Sequence, residues 1–556
     1  MLKKKYIYTL LITFLFIIYY INKVEVNKNA IIEIYDENNE EISLILNNNK
    51  TSKTSLEKLD DKYINIILSI EDKSFYKHSG IDVKRILYCS YSNIFNNTSY
   101  GASTITQQLI KNVYLNNEKS ISRKIKEIIL AKKLEKKLSK NEILELYLSC
   151  LYFGNNIYGI NNACSYYYSK NLENITIKEL ISFVALWNSP SIYSANIDKW
   201  NSKKNKIAKE LLENNIINYS EYLEATKYIS LKINKEYTSS NRLYYIDQVI
   251  EEMKSLNINE KFYNPIKIYT KYNKNNEALI PTKKINVCAI SINKEGYITS
   301  LIGNSSYFDS EYNIATKGKR DIGSTIKPLL YYEALKCGIN NTYVSEPYTF
   351  IYNNENVTIT NSSGIYYGKI AMREALAVSD NIYAMKTHLY LGTNTLKNHL
   401  KKYGIDAKSI PSLALGSVGL SLLDLTKIYF QFFQNGYYAE PICIYKISIR
   451  NNTFYKPKLK IINDVLLCQK IKELLEAPFD TTISHATCSS ISKYLEMKCY
   501  GKSGLTDYDS YMIGFSDKTL VACWCGDINN EPLIEYEYKK LPKEYFVKLM
   551  NLVTLQ

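Results

Sequence analysis

The segment GSTIKPLLYYEAL, residues 323–335, joins a turn-forming glycine, a serine and a nearby lysine to the start of a helical pattern. Two shorter segments follow it, SDN at residues 379–381 and KSG at residues 502–504. Together they supply a serine hydroxyl, groups that handle its proton and a carboxylate-binding strand, which acyl transfer through a serine ester requires. Their order predicts such a site in a domain that mixes strands and helices.

The pattern S-x-x-K is weak evidence by itself, because this lysine-rich chain contains several copies of it. They start at Ser55, Ser74, Ser291, Ser324 and Ser490. Only at Ser324 does a glycine permit a tight entry into a helical pattern, with Pro328 tolerable in its first turn. Lys327 would then lie one turn on, on the same face. A lysine kept partly deprotonated by burial can accept a serine proton, so we predict Ser324 as the nucleophile and Lys327 as its activator.

Ser379 and Asn381 lie within a second helical pattern, and Lys502 precedes a strand pair. A polar interruption or an N-cap would explain the SDN segment without catalysis. In the catalytic interpretation, Ser379 relays protons to the leaving group and Asn381 holds a substrate amide. Lys502 and the hydroxyl of Ser503 would bind a carboxylate at the strand edge. Each triplet alone is more often structural, but three in this order predict an active site.

The first half of the chain carries a second set of polar motifs in a mainly helical region. Glu71 opens the segment EDKSFYKHSG, and GASTITQQLIKN at residues 101–112 places hydroxyl and amide side chains beside a lysine. Such side chains suit sugar hydroxyls and phosphate. A solvated helix end, a capping His78 and a solvated charged helix face remain the alternatives for the charged residues of this region.

Residues 320–328, RDIGSTIKP, resemble the R-x-P-G-S-x-x-K-P motif of the transpeptidase domain of penicillin-binding proteins, with Ile322 in place of the proline. Segments 372–376, 413–416 and 511–515 also match that family. The third motif departs from the usual K-T-G-T, because Leu505 follows Gly504. Carboxylate binding would then rest on Lys502, Ser503 and Thr506, with Gly504 and Leu505 lining the substrate strand.

The first half resembles the glycosyltransferase domain of the bifunctional, class A penicillin-binding proteins. The similar segments are EDKSFYKHSG (71–80), GASTITQQLIKN (101–112), RKIKE (123–127) and KNEILELYLS (140–149). Ala102 and Ser149 are small departures from the family motifs. The two resemblances cover roughly residues 55–225 and 285–530.

Glycan polymerisation needs a base for an acceptor hydroxyl and positive charge to offset the leaving pyrophosphate. Glu71 fits the base, and Glu127 would assist departure or hold a divalent metal, Mg²⁺ or Mn²⁺; no cofactor is expected for transpeptidation. Direct attack on the opposite face would invert the anomeric carbon, as in two-carboxylate inverting hydrolases. The residues expected to bind this substrate are His78, Ser103, Thr104, Gln107, Gln108, Lys111, Lys119, Arg123 and Lys126.

Lys3, Lys4 and Lys5 precede an uncharged run from Tyr6 to Ile21, slightly short for a membrane span but too apolar for a surface helix. A cleaved signal peptide is the alternative, but the small-x-small site it needs is missing. The positive-inside rule predicts a cytoplasmic N-terminus, a single-pass anchor and extracytoplasmic catalytic domains.

The formal net charge of +15 favours an anionic membrane surface as a partner. No nucleic-acid motif is visible, so nucleic acid is excluded as a partner. Eleven scattered cysteines without metal spacing predict buried free thiols, with disulfides as the less favoured alternative.

The predicted organisation is a multi-domain chain. A membrane helix is followed by a mainly α, lysozyme-like glycosyltransferase domain and an α/β transpeptidase domain with an antiparallel sheet flanked by helices. The predicted boundaries are a tail at 1–5, an anchor at 6–21, a juxtamembrane segment at 22–54, the glycosyltransferase domain at 55–225, a linker module at 226–284, the transpeptidase domain at 285–545 and a tail at 546–556.

The resemblance implies a peptidoglycan synthase that polymerises lipid II and cross-links stem peptides through a serine acyl-enzyme. Its expected partners are lipid II, nascent peptidoglycan, membrane lipid, β-lactam inhibitors and the cell-wall synthesis machinery. A D,D-carboxypeptidase and a β-lactam-sensing or scaffold protein with an acylable serine remain alternatives.

Overall fold

The structure is a computed structural model that describes residues 31–95, 101–115, 120–187, 189–234, 242–256, 258, 265–273, 285–307, 309–449, 451–534 and 536–552. The chain divides into two compact units. The first comprises the described residues before 238 together with those in 257–268 and 447–453, and the second comprises the remainder. Lys119 and the predicted tail and anchor at 1–21 lie outside the described residues. Within the described ranges, no helix combines the length and apolar character needed to cross a membrane.

The first unit is mainly helical, as predicted. Its helices are α1 (Asp61–Glu71), α2 (Val83–Phe95), α3 (Ile105–Leu109), α4 (Ile121–Leu134), α5 (Lys140–Cys150), α6 (Ile160–Tyr168), α7 (Ile177–Leu186), α8 (Pro190–Ser194), α9 (Ile197–Glu213) and α10 (Tyr219–Thr226). Many of these helices have an N-cap side chain. At α1, Asp60 accepts the backbone N–H of Lys62, and at α5, Ser139 and Glu142 form a capping box. Residues 124–147 therefore belong to two helices, α4 and α5, because the capping box starts a new helix at Lys140.

The residues ahead of these helices form a hairpin. Strands β1 (Ile31–Tyr35) and β2 (Glu41–Leu46) pair antiparallel, with Ile31 opposite Leu46, and β3 (Asn49–Thr51) pairs with β2. They join β4 (Ile266–Thr270), β14 (Ile444–Ser448) and β15 (Asn452–Phe454) in a sheet of order β15-β14-β4-β1-β2-β3.

The second unit is built on a five-stranded antiparallel sheet, also as predicted. Its strands are β5 (Asn286–Asn293), β6 (Ile298–Ile302), β17 (Tyr500–Leu505), β18 (Asp509–Phe515) and β19 (Thr519–Gly526), in the order β17-β18-β19-β5-β6. The central strands β18 and β19 are buried along their whole length, because helices cover both faces.

The helices of the second unit are α11 (Arg242–Ser255), α12 (Ile314–Lys317), α13 (Lys327–Lys336), α14 (Met372–Val378), α15 (Asn381–Leu391), α16 (Asn394–Lys401), α17 (Leu422–Phe433), α18 (Val465–Leu474), α19 (Ser489–Ser492) and α20 (Tyr536–Leu552). The short strands pair two by two: β7 (Arg320–Asp321) with β12 (Gly419–Leu420), β8 (Tyr343–Ser345) with β11 (Gly368–Ile370), β9 (Tyr348–Tyr352) with β10 (Glu355–Ile359), and β13 (Tyr437–Tyr438) with β16 (Lys460–Ile461).

Parts of the predicted linker module (226–284) and of the predicted tail (546–556) pack into the second unit. Helix α11 lies in the polar module 226–284, yet its Tyr244 and Tyr245 are buried, and Tyr245 Oη donates to Ile298 O at 3.1 Å. Helix α20 continues past residue 545 because Phe546 and Met550 lie in the core that covers one face of the sheet. Phe433 of α17 packs on Phe515 on the other face, with ring centroids 5.7 Å apart.

All eleven cysteines are described, and all are free thiols. Ten are buried and only Cys337 is exposed. Cys523 and Cys525 share one face of β19 within the core under α20. The scattered spacing therefore predicted their state correctly.

Because α20 packs on the central strands, Phe546→Ala should lower the free energy of unfolding of the second unit by about 3–5 kcal/mol. Urea denaturation followed by pulse proteolysis would measure the loss. Glu544→Ala, at an exposed position on the same helix, is the matched control and should change stability by less than about 0.5 kcal/mol. Equal stability of the two variants would show that α20 is not part of the folded core.

Candidate active sites

Glu71 occupies the C-terminal end of α1 in the first unit and is buried, with 8% of its surface exposed. Both carboxylate oxygens accept hydrogen bonds: Oε2 from Gln108 Nε2 at 3.1 Å and Oε1 from Trp187 Nε1 at 2.9 Å. Gln108 is held in turn by Tyr147, whose hydroxyl donates to Gln108 Oε1 at 3.2 Å. Burial, assisted by the Glu71 carboxylate, raises the pKa of Tyr147 well above its usual value, so this hydroxyl keeps its proton. The carboxylate is thus fixed by neutral donors.

Asp72, beside Glu71, has a different environment. It is fully buried, and its Oδ2 accepts the backbone N–H of Ile105 at 3.0 Å. His78 Nε2 lies 2.9 Å from the same oxygen. The two acidic residues therefore have different roles. Asp72 connects the first motif to the start of α3 and contacts His78, whereas Glu71 contacts Gln108 and Trp187.

The hydroxyl and amide motif builds the N-terminus of α3. Thr104 and Gln107 form a capping box, in which Gln107 Oε1 accepts the Thr104 N–H and Thr104 Oγ1 accepts the Gln107 N–H. Thr104 Oγ1 also donates to Gly80 O at 2.7 Å. Thr104 and Gln107 thus join two motifs, whereas Gln108 reaches Glu71. Helix α3 continues into a π-helical turn, Ile110–Tyr114, which carries Lys111.

Charged residues on α4 form the next part of this site. Glu127 is buried, and Lys124 Nζ lies 2.5 Å from its Oε1 and 2.9 Å from Ser103 Oγ. Arg123 and Lys126 are half-buried on the same helix, and Lys111 has no ion-pair partner within the described ranges. Lys119 cannot be placed because it lies outside them.

The surroundings of Glu127 do not fit a metal held by protein groups alone. Among the described residues, no group of three or more His, Cys, Asp or Glu side chains could hold a metal ion. The carboxylate of Glu127 already has an ammonium partner in Lys124. A divalent cation would need ligands from elsewhere.

In the second unit, Ser324 lies on a 3-10 turn, Gly323–Ile326, that leads directly into α13. Gly323 has φ +55°, and a Cβ there would lie 3.1 Å from Leu505 O. Gly416 approaches so closely that a Cβ would collide with the Gly323 backbone, and its oxygen accepts the Ile322 N–H at 3.1 Å. Two glycines therefore allow the serine turn to lie against β17. Ser324 lines a cleft of about 400 Å³.

Lys327 is completely buried at the first turn of α13. Its Nζ donates to Ser379 O at 2.7 Å, to Asn381 Oδ1 at 2.8 Å and to Asp380 O at 3.2 Å, and it lies 3.4 Å from Ser379 Oγ. Burial lowers its pKa well below the usual lysine value, and the positive charge of Lys502 lowers it further. Both effects favour the neutral form of the Lys327 amine over the charged form.

Lys502, on β17, is equally buried and contacts the same serine. Its Nζ donates to Ser379 Oγ at 2.9 Å and to Ser503 O at 2.8 Å. Burial lowers the pKa of Lys502 to about 7. Ser379 therefore bridges two lysine amines, in a left-handed conformation with φ 61° between α14 and α15. The helical pattern around SDN is broken at this residue.

Asp380 and Asn361 hold the Ser379 turn in place. Asp380 caps α15 by accepting the Tyr383 N–H at 2.7 Å. Its other oxygen accepts Asn361 Nδ2 at 2.7 Å, while Asn361 Oδ1 accepts the Asn381 N–H at 2.8 Å. The SDN segment is thus both an N-cap and part of the site.

The third motif lies on the edge strand of the sheet. Lys502 pairs with Ile513 and Gly504 pairs with Tyr511, so the other edge of β17 borders the cleft. A Cβ on Gly504 would lie 2.8 Å from Thr325 Cγ2, so only glycine permits this contact. Leu505 is half exposed at the cleft. Thr506 Oγ1 accepts the Asp509 N–H at 2.9 Å and so belongs to the following turn.

The motif pattern does not predict several residues that complete the two sites. Trp187 and Lys124 contact the carboxylates of the first site, and Asn361 holds the second. Lys124 could have been found from its (i, i+3) spacing to Glu127. Trp187 and Asn361 carry no local signal, because each meets its partner from a distant segment.

Comparison with known proteins agrees with both units. Residues 38–212 match the family model described as Transglycosylase, and residues 287–511 match the penicillin binding protein transpeptidase domain. Penicillin-binding protein 2D of Bacillus subtilis is 30% identical over 528 residues, covering 89% of this chain and 76% of that protein. Penicillin-binding protein 1A of Clostridium tetani is 27% identical over 574 residues, covering 90% and 72%. The crystal structure of penicillin-binding protein 1A from Haemophilus influenzae has the same fold, with a TM-score of 0.57, 16% identity and coverage of 95% and 93%.

The lowered pKa of Lys502 makes stability depend on pH in a defined direction. Between about pH 7 and the unfolded lysine value of 10.5, the unfolded chain binds the proton that the folded chain has lost. Stability from this group therefore rises with pH in that window and is constant below it. Relative to Lys502→Met, the wild type should gain about 1.4 kcal/mol per pH unit from about pH 7 to 9.

Urea denaturation of both proteins at several pH values would measure this difference. Lys518→Met, in the exposed turn between β18 and β19, is the control and should differ from the wild type by a constant amount. A constant difference for Lys502→Met would mean that Lys502 stays charged when the protein is folded.

Proposed function

The chain belongs to the bifunctional class A penicillin-binding proteins, and from that premise we propose which of its residues perform the two reactions of a peptidoglycan synthase. Such a protein polymerises lipid II with its glycosyltransferase domain and cross-links stem peptides with its transpeptidase domain. A carboxypeptidase or a sensing scaffold is not favoured, because the chain carries both domains.

Glu71 is the base of glycosyl transfer in this proposal. It takes the proton of the acceptor hydroxyl as that oxygen attacks the anomeric carbon, the bond to pyrophosphate breaks and the configuration inverts. The contacts from Gln108 and Trp187 support this role, since they fix the carboxylate without supplying a competing cation. A positioned base of this kind contributes about 10²–10⁴-fold to a rate.

Positive charge for the leaving pyrophosphate comes from Lys111, Lys119, Arg123 and Lys126, with Glu127 assisting departure. Lys124 adds an ammonium between Glu127 and Ser103. A metal at Glu127 carries no step of this mechanism, because the residues around that carboxylate do not fit one.

Ser324 is the acylated nucleophile of the second reaction. Its Oγ forms a bond to the penultimate carbonyl carbon of the donor peptide, and its proton passes to the neutral amine of Lys327. The carbon–nitrogen bond to the terminal residue then breaks, and Ser379 relays a proton to the leaving amine. The acceptor amine then attacks the ester carbonyl carbon and loses a proton to the amine of Lys327. The bond from that carbon to Ser324 Oγ breaks, and Ser324 Oγ takes the proton back from Lys327. The observation that carries this mechanism is the contact of both lysine amines with Ser379 Oγ.

Charge on the substrate is bound by two groups. The backbone N–H groups of Ser324 and Leu505 receive the oxyanion, and Lys502 with Ser503 receives the terminal carboxylate. No cofactor is needed for transpeptidation in this family. β-Lactams acylate the same serine in this proposal.

The catalytic units lie outside the cytoplasm, anchored by residues 6–21. The uncharged run behind three lysines supports this placement. Since the substrate of the first site is lipid-borne, an anchor would keep that site at the membrane surface.

Glu71→Gln should lower lipid II polymerisation by about 10²–10⁴-fold, because the amide keeps the size of the side chain and one acceptor oxygen but cannot take a proton. Polymer formation from labelled lipid II on gels would measure it. Glu57→Gln, at an exposed position of the same unit, is the matched control and should polymerise normally. Near-normal polymerisation by Glu71→Gln would assign the base to another residue.

Ser324→Ala should abolish covalent labelling by a fluorescent penicillin, because no oxygen remains to form the ester. Peptide mapping of the labelled wild type should find the label on Ser324. Ser490→Ala, which removes another S-x-x-K serine, should label normally.

The proposed topology is tested with a membrane-impermeant penicillin. Labelling of intact spheroplasts is expected if the second unit faces outward, whereas labelling only after lysis would contradict that placement.

A further inference from the structure

The cleft that contains Ser324 has an unusual charge composition. Its lining side chains are hydroxyl, amide, apolar, imidazole or ammonium groups, and among the described residues that line it there is no Asp or Glu. Three lysines, Lys539, Lys540 and Lys543, line it together, and we call them the lysine wall. They are separate from Lys327 and Lys502, which are buried beneath the cleft.

The lysine wall is held by the sheet and by a neighbouring loop. It lies in the first two turns of α20, which packs on β18 and β19. Ser510 Oγ donates to Lys539 O at 2.8 Å, and Lys543 Nζ donates to Thr487 O at 2.6 Å. Ser510 and Thr487 also line the cleft, so the wall has a fixed place beside it.

Two lysines of the wall, Lys539 and Lys543, repel each other, and a bound anion would relieve that repulsion. Lys539 and Lys543 are four residues apart on one helix, and like charges at that spacing repel. The helix N-terminus adds positive potential, which Glu537 in the first turn partly offsets. Neither lysine forms an ion pair with a described residue, whereas Lys472 and Lys498 of the same unit lie 3.0 and 2.9 Å from carboxylates.

The wall also acts on the catalytic groups. The positive charge of Lys543 contributes to the lowered pKa of Lys502, after the larger effect of burial. The two lysines therefore lie within electrostatic reach of each other. An anion bound to the wall would therefore raise the pKa of Lys502 on the carboxylate-binding strand.

We propose that the lysine wall binds a second carboxylate of the peptide substrate, in addition to the terminal carboxylate bound at Lys502 and Ser503. This inference rests on the proposed transpeptidase function. The substrate class is a D-alanyl-D-alanine peptide with a free carboxylate on a residue before the scissile bond. A cleft of about 400 Å³ has the size of an ordinary ligand site, and its hydroxyl lining leaves the lysines as the groups that discriminate charge.

The test compares two donor peptides that differ only in that carboxylate, which is a carboxamide in the second peptide. The wild-type chain should acylate with the carboxylate peptide roughly tenfold faster, as kcat/KM, which is the order expected for a charged contact that solvent partly reaches. The preference should fall as ionic strength rises. In Lys539→Gln/Lys543→Gln the ratio of the two rates should approach one.

Lys493→Gln/Lys518→Gln, which removes two exposed lysines elsewhere in the unit, should keep the wild-type ratio. Penicillin labelling of Ser324 verifies that each variant is folded, and Lys539→Gln alone replaces the double variant if it is not. Equal rates for the two peptides in the wild type would overturn the second-carboxylate site while leaving the serine chemistry intact. Labelling by penicillin without acylation by either peptide would overturn both the site and the proposed transpeptidase function.

Discussion

Two lysine amines buried against one serine hydroxyl are the constraint on which the second unit depends. Lys327 and Lys502 both contact Ser379, and neither directly contacts a carboxylate of a described residue. Two unit charges about 4 Å apart repel by about 4 kcal/mol even at an effective dielectric constant of about 20. Burial of the two amines is therefore favourable only when they are not both protonated at the same time. The backbone is shaped to impose that state: Ser379 is held in a left-handed conformation, and Asp380 and Asn361 fix it there.

The sequence predicts the catalytic residues of the second unit well, because each motif places its hydroxyl, lysine or asparagine side chains within a few positions of one another. Gly323, Ser324 and Lys327 lie within about one turn of the same helix start, so the local pattern is sufficient to predict them. Asn361 shows where such reasoning ends. It is an ordinary polar residue in a loop, and its importance comes only from the fold, which brings it to Asp380 and Asn381.

The first unit shows a second limit. Motif membership does not separate residues that build a site from residues that act in it. Asp72, Thr104 and Gln107 form hydrogen bonds that stabilise the start of α3. Gln108 instead donates a hydrogen bond to the Glu71 carboxylate. Helical periodicity predicted the fold class, because amphipathic patterns are strong over many residues. The division of labour within a motif depends on single contacts that no periodic pattern contains.

The edge position of β17 has a consequence for colloidal behaviour. A strand edge that admits an extended peptide can also admit the edge strand of another copy, which leads to self-association. Here the same edge carries Lys502, is only six residues long and borders a cluster of ammonium groups. Two such edges repel each other, while a peptide with carboxylates is attracted. The positive charge beside β17 thus opposes edge-to-edge pairing of two copies of this strand, independently of any role in turnover.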